Sequence, residues 1–191
     1  MPKGIRTGKL GDFQIISGKA VVSDPCYTRG TWCAGVIKNV KNGTWVGIIR
    51  KSDEGKWGTR VAELLAFHED YLGLIERKTW DWQPIDVGVD SGQCGIFDET
   101  HYKDNKVVPR PWNTHLIPDD DWYDMCCKAT QGDVKGGTIP YGVVSSSGYG
   151  DGSYRCYTVT KDGKIVAIKI TYLLIKGRKL MKKLVRRQNG R

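Results

Sequence analysis

Short runs of valine, isoleucine and aromatic residues, cut off again and again by Gly, Asp and Asn, constrain this chain most. Such runs suit a pleated strand and do not sustain the 3.6-residue period of a helix. Sixteen Val and fifteen Ile stand against ten Leu and six Ala, which disfavours a helical bundle or coiled coil. Val, Ile, Leu and Phe together make 44 of 191 residues. That is about 23%, above the roughly 20% below which chains tend to remain unfolded. Seven Trp and nine Tyr add to what a core can bury.

The runs sort into strands by their turns. Residues 13–16 and 19–23 read as a hairpin about Ser17-Gly18, ended by Asp24-Pro25 because proline lacks a ladder donor. Residues 45–50 and 60–67 form a second pair across KSDEGKWG. Residues 92–97 are a short apolar run, and residues 154–160 and 164–174 form a hairpin turned by Lys161-Asp162-Gly163. The segment PDDDWYDMCCKAT predicts one helix over about 120–130, with Asp119 as its cap and Trp122, Met125 and Cys126 as its apolar face. Residues 64–72 fit either a strand or a helical continuation. The two longer hairpins echo each other, Gly43-Thr44-Trp45 preceding Val61-Ala62 as Gly152-Ser153-Tyr154 precedes Val166-Ala167. The expected fold is mainly β: a single antiparallel sandwich or partly open barrel over residues 1–175, with a short helix and a basic tail.

That tail holds the charge. The formal net charge is +9, yet residues 176–191 carry eight basic residues and no acidic one, leaving 22 basic and 21 acidic elsewhere. A fold that binds nucleic acid over a whole face would be basic itself. Here only the tail qualifies, and its Leu180, Met181, Leu184 and Val185 have helical spacing. No apolar run approaches the roughly 20 residues of a membrane span, and the N-terminus lacks a signal-peptide core. A soluble cytoplasmic protein without membrane partner is the expectation. Cys26, Cys33, Cys94, Cys126, Cys127 and Cys156 contain no C-x-x-C pair and lack ligand spacing to the histidines, so reduced thiols are expected.

Three segments carry more Gly and Asp than plain turns require. They are residues 23–27 (SDPCY), residues 88–98 (GVDSGQCGIFD) and residues 148–154 (GYGDGSY). The order DPCY, G-x-x-G-x-R-V-A, VDSGQ-x-x-x-FD and SGYGDGSY, from about Gly18 to Leu174, resembles the domain-of-unknown-function family 4241. That family occurs in bacteria and in many bacteriophages. The resemblance implies a β-rich domain and, for a phage-encoded member, the host cytoplasm; it implies no activity, and the tail lies outside it.

Glycines beside an aspartate let a backbone approach a ligand while the carboxylate projects. Asp24, Asp90, Asp98 and Asp151 are candidates to converge at one end of the fold, with Ser91 and Ser153 as hydroxyls and Tyr27, Tyr149 and Tyr154 as stacking surfaces. Such a set suits a polar or nucleotide-like ligand, or a divalent metal held through oxygen. Ordinary turn chemistry accounts for the same residues. Cys26 or Cys94 beside His68, His101 or His115 is the thinner nucleophile reading. DSGQCG is not a nucleophile elbow, and neither a P-loop nor H-E-x-x-H occurs. The aromatic residues of 79–82 and of Arg110-Pro111-Trp112 read chiefly as core anchors, and secondarily as base-stacking surfaces. Three functions stay open: a binding protein that captures a polar or nucleotide-like ligand or a host protein without turnover, an Asp-based, metal-assisted phosphoester hydrolase, and a nucleic-acid-associated protein acting through its tail.

Overall fold

The computed structural model describes residues 4–76, 78–112 and 120–174. They form eleven strands: β1 (Ile5–Ile15), β2 (Lys19–Ser23), β3 (Gly35–Lys38), β4 (Gly43–Asp53), β5 (Thr59–His68), β6 (Asp81–Val89), β7 (Gln93–Asp98), β8 (Gly136–Ile139), β9 (Gly142–Ser146), β10 (Gly152–Lys161) and β11 (Lys164–Thr171). One α-helix, α1 (Asp121–Thr130), lies between β7 and β8. The strands make two antiparallel sheets, ordered β1-β4-β5-β11-β10-β6 and β3-β2-β7-β9-β8. Four edges remain, so this is an open sandwich and not a closed barrel. Among the described residues, no helix is long and apolar enough to cross a membrane.

The core lies between the sheets. Phe13, Ile15, Trp45, Ile49, Leu64, Ile168 and Ile170 from the first meet Ala20, Val22, Ile37, Ile96 and Val143 from the second. Burying a side chain of this kind contributes about 1.5–3 kcal/mol. Both sheets are also covered outside. The 3-10 segment Glu69–Glu76 and Trp80 lie over Val46, Ile48, Leu65, Phe67 and Val166. Helix α1 lies over Val21, Phe97, Ile139 and Val144 through Trp122, Met125 and Cys126. Covering explains why β5 is buried from Val61 to His68 with no alternation: a central strand between two apolar layers has no wet face. Under the 3-10 segment, Arg50 pairs with Glu63 at 3.0 Å and donates to the Ile75 carbonyl at 2.6 Å. Lys169 approaches the same carboxylate at 3.8 Å, with its ammonium 4.6 Å from the centre of the Trp80 ring.

Most of the expected elements form. β4 pairs with β5 and β10 with β11, and these two echoing hairpins lie side by side through β5 and β11. α1 occupies the expected span, but its cap is Asp120, whose carboxylate accepts from the Tyr123 amide at 3.0 Å; Asp119 lies outside the described residues. Residues 64–68 stay in β5, and residues 69–76 follow as 3-10 turns broken by a kink at Tyr71, whose φ is −125°. The hairpin expected at residues 13–23 does not form. β1 pairs with β4 in the first sheet, and β2 sits between β3 and β7 in the second. Ser17-Gly18 is instead a corner between sheets, where Gly18 takes a φ of 69°. Phe13 and Ile15 thereby face Ala20 and Val22 across the core, which a hairpin would have placed on one surface. The basic tail, residues 176–191, lies outside the described residues.

Candidate functional site

The family-like segments build a corner around Asp24, which is fully buried. Its Oδ1 accepts from the Cys26 amide at 2.8 Å and from Ser91 Oγ at 2.6 Å. Its Oδ2 accepts from the amides of Asp90 at 2.8 Å and Ser91 at 2.7 Å. These four donors use the lone pairs of the carboxylate. The β6–β7 turn is thereby folded onto the end of β2, and Gly92 at a φ of 72° lets it close. Asp24 holds its own chain, and no lone pair is left for a ligand.

Asp98 does the same work elsewhere. Its Oδ2 accepts from Ile16 and Ser17, both at 2.8 Å, fixing the sheet-to-sheet corner. Its Oδ1 accepts from Thr100 at 3.0 Å and His101 at 3.3 Å. It pairs with Ala20 in the β2–β7 ladder, four residues back from Asp24 and about 13 Å away along the strand at 3.3–3.4 Å per residue. The four aspartates therefore do not converge. Asp90 and Asp151 flank the end of the β6–β10 ladder, each next to its last registered pair, Val89 and Gly152. Both are exposed, as is Ser153. Among the described residues, no group of three or more His, Cys, Asp or Glu side chains is arranged to hold a metal ion.

The SGYGDGSY loop wraps the Tyr154 hydroxyl, which donates to the carbonyls of Ser147 at 2.9 Å and Gly150 at 2.5 Å. Tyr154 is thus a loop anchor. Tyr149 points the other way, donating to Glu54 at 3.1 Å, with the Arg60 guanidinium 5.6 Å from its ring centre. Tyr27 stays at the corner, where burial, with Asp90 and Cys33 beside it, raises its phenol pKa.

The thiols are quiet. All six cysteines are free. Burial and the Asp24 carboxylate push the Cys26 thiol up to about 12, and burial holds Cys94 and Cys126 well above the ordinary thiol value. A thiol that stays protonated is a poor nucleophile. His68 is buried with Nε2 at 3.1 Å from the Asn42 carbonyl, and His101 has Nδ1 at 3.2 Å from Asp104 while stacking on Tyr141. No Cys–His hydrogen bond forms among the described residues, and His115 lies outside them.

A different surface gathers unsatisfied charge. A groove of about 710 Å³ runs between β1, the β4–β5 turn and the segment after α1. Arg6, Lys9, Lys51, Arg60 and Lys135 line it against one carboxylate residue, Asp133. Arg6 and Lys51 are direct cross-strand partners, a placement in which like charges repel. Lys9 is answered by Asp12 at 2.8 Å, but Arg6 and Lys135 make no ion pair among the described residues. Lys51 donates to the Asp133 carbonyl at 2.7 Å. Burial and the charges of Lys135 and Arg6 hold its pKa below the usual lysine value. Trp57 borders this groove, 59% exposed.

Of these cations, only Arg60 was marked by the sequence, as the arginine of G-x-x-G-x-R-V-A. The others come from three distant segments, and a near-neutral sum hid them: total charge does not report how charge is distributed. The residues of the G-x-x-G-x-R-V-A segment were the available signal, since Trp57, Gly58, Thr59 and Arg60 all line the groove.

Fold and surface together define an antiparallel two-sheet protein with a basic groove beside a structural carboxylate corner. The family model for DUF4241, a protein of unknown function, matches residues 85–170, and this supports assignment of the chain to that family. The match spans VDSGQCGIFD and SGYGDGSY, and leaves DPCY and the groove turn outside it. No curated protein and no solved structure matches the chain.

Proposed function

We propose that this is a binding protein that captures a phosphate-bearing polar ligand in the basic groove without turning it over. One observation carries the reading: Arg6, Lys51 and Lys135 are brought together in a lining whose one carboxylate residue is Asp133, so positive charge is in excess there. Cations held side by side are mutually destabilising, and a bound anion relieves that repulsion. Among the described residues, the groove lining contains no cysteine, histidine or pair of carboxylates with which to build general acid–base or thiol chemistry, so capture is favoured over hydrolysis. Its size falls within the roughly 300–1,000 Å³ of small-molecule sites. The six free thiols favour a reducing compartment, the cytoplasm, and the host's cytoplasm if the protein is phage-encoded.

The test is calorimetric titration of the full chain with inorganic tripolyphosphate at about 50 and 200 mM salt, the range over which screening changes. Binding is expected to weaken with salt and to fall by about tenfold or more in Lys51→Glu and in Lys135→Glu. Removal of residues 176–191 is expected to leave it intact. Binding that survives both charge reversals and is lost with the tail overturns the reading in favour of tail-borne nucleic-acid contact.

A further inference from the structure

The groove has a second chemical character that phosphate capture does not use. Trp57 lies on the 3-10 turn Gly55–Trp57 between β4 and β5, and no residue of that turn is buried. Its indole belongs to none of the three apolar clusters that hold the sheets. The indole is left wet beside a cluster of cations that line the same groove.

The turn that carries it is braced. Glu54 N donates to the Gly58 carbonyl at 3.0 Å, Gly58 N to the Gly55 carbonyl at 2.9 Å, and Gly55 N to the Asp53 carboxylate at 2.8 Å. Arg60 Nε donates to the Trp57 carbonyl itself at 3.0 Å. The Glu54 carboxylate is gripped by Ser52 Oγ at 2.7 Å and Tyr149 Oη at 3.1 Å. The backbone presenting the indole is thus held by four hydrogen bonds, and the Glu54 side chain beside it by two more. Lys56 places its ammonium 5.3 Å from the ring centre, adding positive charge next to the aromatic surface.

We infer that Trp57 is a nucleobase-stacking subsite of the groove, so that the captured ligand is a nucleotide. This rests on the phosphate-binding reading. Phosphates lie on Arg6, Lys51 and Lys135 while the base lies on the indole, the pairing of a basic track with an aromatic platform by which nucleotides are held without hydrogen-bond readout. Stacking of this kind tolerates any base. The free nucleotide and the nucleotide unit of a single strand share the chemistry.

Calorimetry on the full chain separates the contributions with three probes: ATP, inorganic tripolyphosphate and an eight-residue oligothymidylate. The wild type is expected to bind ATP about tenfold more tightly than tripolyphosphate. Trp57→Ala should abolish that preference and leave tripolyphosphate affinity unchanged, whereas Trp57→Phe should keep most of it. Lys51→Glu should weaken all three probes. A preference that persists in Trp57→Ala, or a loss equal for ATP and tripolyphosphate, overturns the stacking subsite while phosphate capture stands. No tripolyphosphate binding by the wild type overturns both. Tighter binding of the oligothymidylate than of ATP supports the subsite with a single strand as its source, and the reverse supports it with the free nucleotide.

Discussion

The Asp24 corner and the basic groove are both polar and both lie where strands end, yet they are opposites in one respect. At the corner a single buried carboxylate meets four donors from its own chain. In the groove, cations from β1, β4 and the segment after α1 face one another with Asp133 as the one carboxylate residue among the lining residues. Saturated polar groups hold a fold together, while unsaturated ones are available to something else. The segments richest in family-like motif residues belong mainly to the first kind.

Removing the corner's acceptor is the strongest way to break this contrast. Each bond to a charged acceptor contributes about 1.5–3 kcal/mol, and partial compensation reduces the sum. Asp24→Ala is expected to lose about 4 kcal/mol or more in urea unfolding, a large share of a typical domain's stability. Asp24→Asn, which keeps one acceptor oxygen, should lose about half of that. Whatever remains folded should still bind tripolyphosphate. A stable Asp24→Ala protein that no longer binds would reverse the assignment of the two regions.

Alkali sharpens the contrast by sign. The Cys26 thiol is held up to about 12 from 9.0 and the Tyr123 phenol up to about 12 from 10.0, both chiefly by burial. A raised folded pKa means that stability is complete below the unfolded pKa and is lost as pH climbs toward the folded one. The corner's contribution to melting temperature should therefore fall between about pH 9 and 12. Lys51, with its pKa lowered, behaves in reverse: the penalty of burying its charge beside Lys135 and Arg6 is present at neutral pH and relieved as the ammonium deprotonates ahead of its unfolded counterpart. Melting curves of wild type and Lys51→Gln from pH 8 to 11 check this; the variant should lack the relieving component.

Smaller effects separate the remaining residues. Arg6→Gln and Lys135→Gln should raise stability by a few tenths of a kcal/mol, within the usual range of surface changes, while weakening tripolyphosphate binding. A loss of stability in both would mean that the cations are already partnered. Asp90→Asn and Asp151→Asn lie at the other end of the scale. Both residues are exposed, so less than about 0.5 kcal/mol and no change in groove binding are expected. A tenfold loss of binding in either would move the site from the groove to the β6–β10 ladder end.

What was legible in the sequence was local. The β4–β5 and β10–β11 hairpins and α1 announce themselves by runs, turns and a capped acidic first turn within a span of ten to thirty residues. The strands GVIK and GGTI did not, because four residues with glycine among them carry little periodicity. Ser17-Gly18 misled, since a hairpin and a sheet-to-sheet corner use the same turn residues; the discriminating group is Asp98, far along the chain. For the same reason Asp24 and Asp98 looked like ligand aspartates. Whether a carboxylate is saturated depends on which distant amides reach it, and spacing does not reveal that.

The Asp98 clamp also sets a schedule. Its two partners at the corner precede it by 82 and 81 residues. At a synthesis rate of about 5–20 residues per second, Ser17 waits roughly 4–16 s for the carboxylate that fixes its turn. In that interval β1, β4 and β5 have all been made, and β2 has β3 but not β7. The arrival of β7 then closes both ends of β2, through Asp98 at one and the turn on Asp24 at the other.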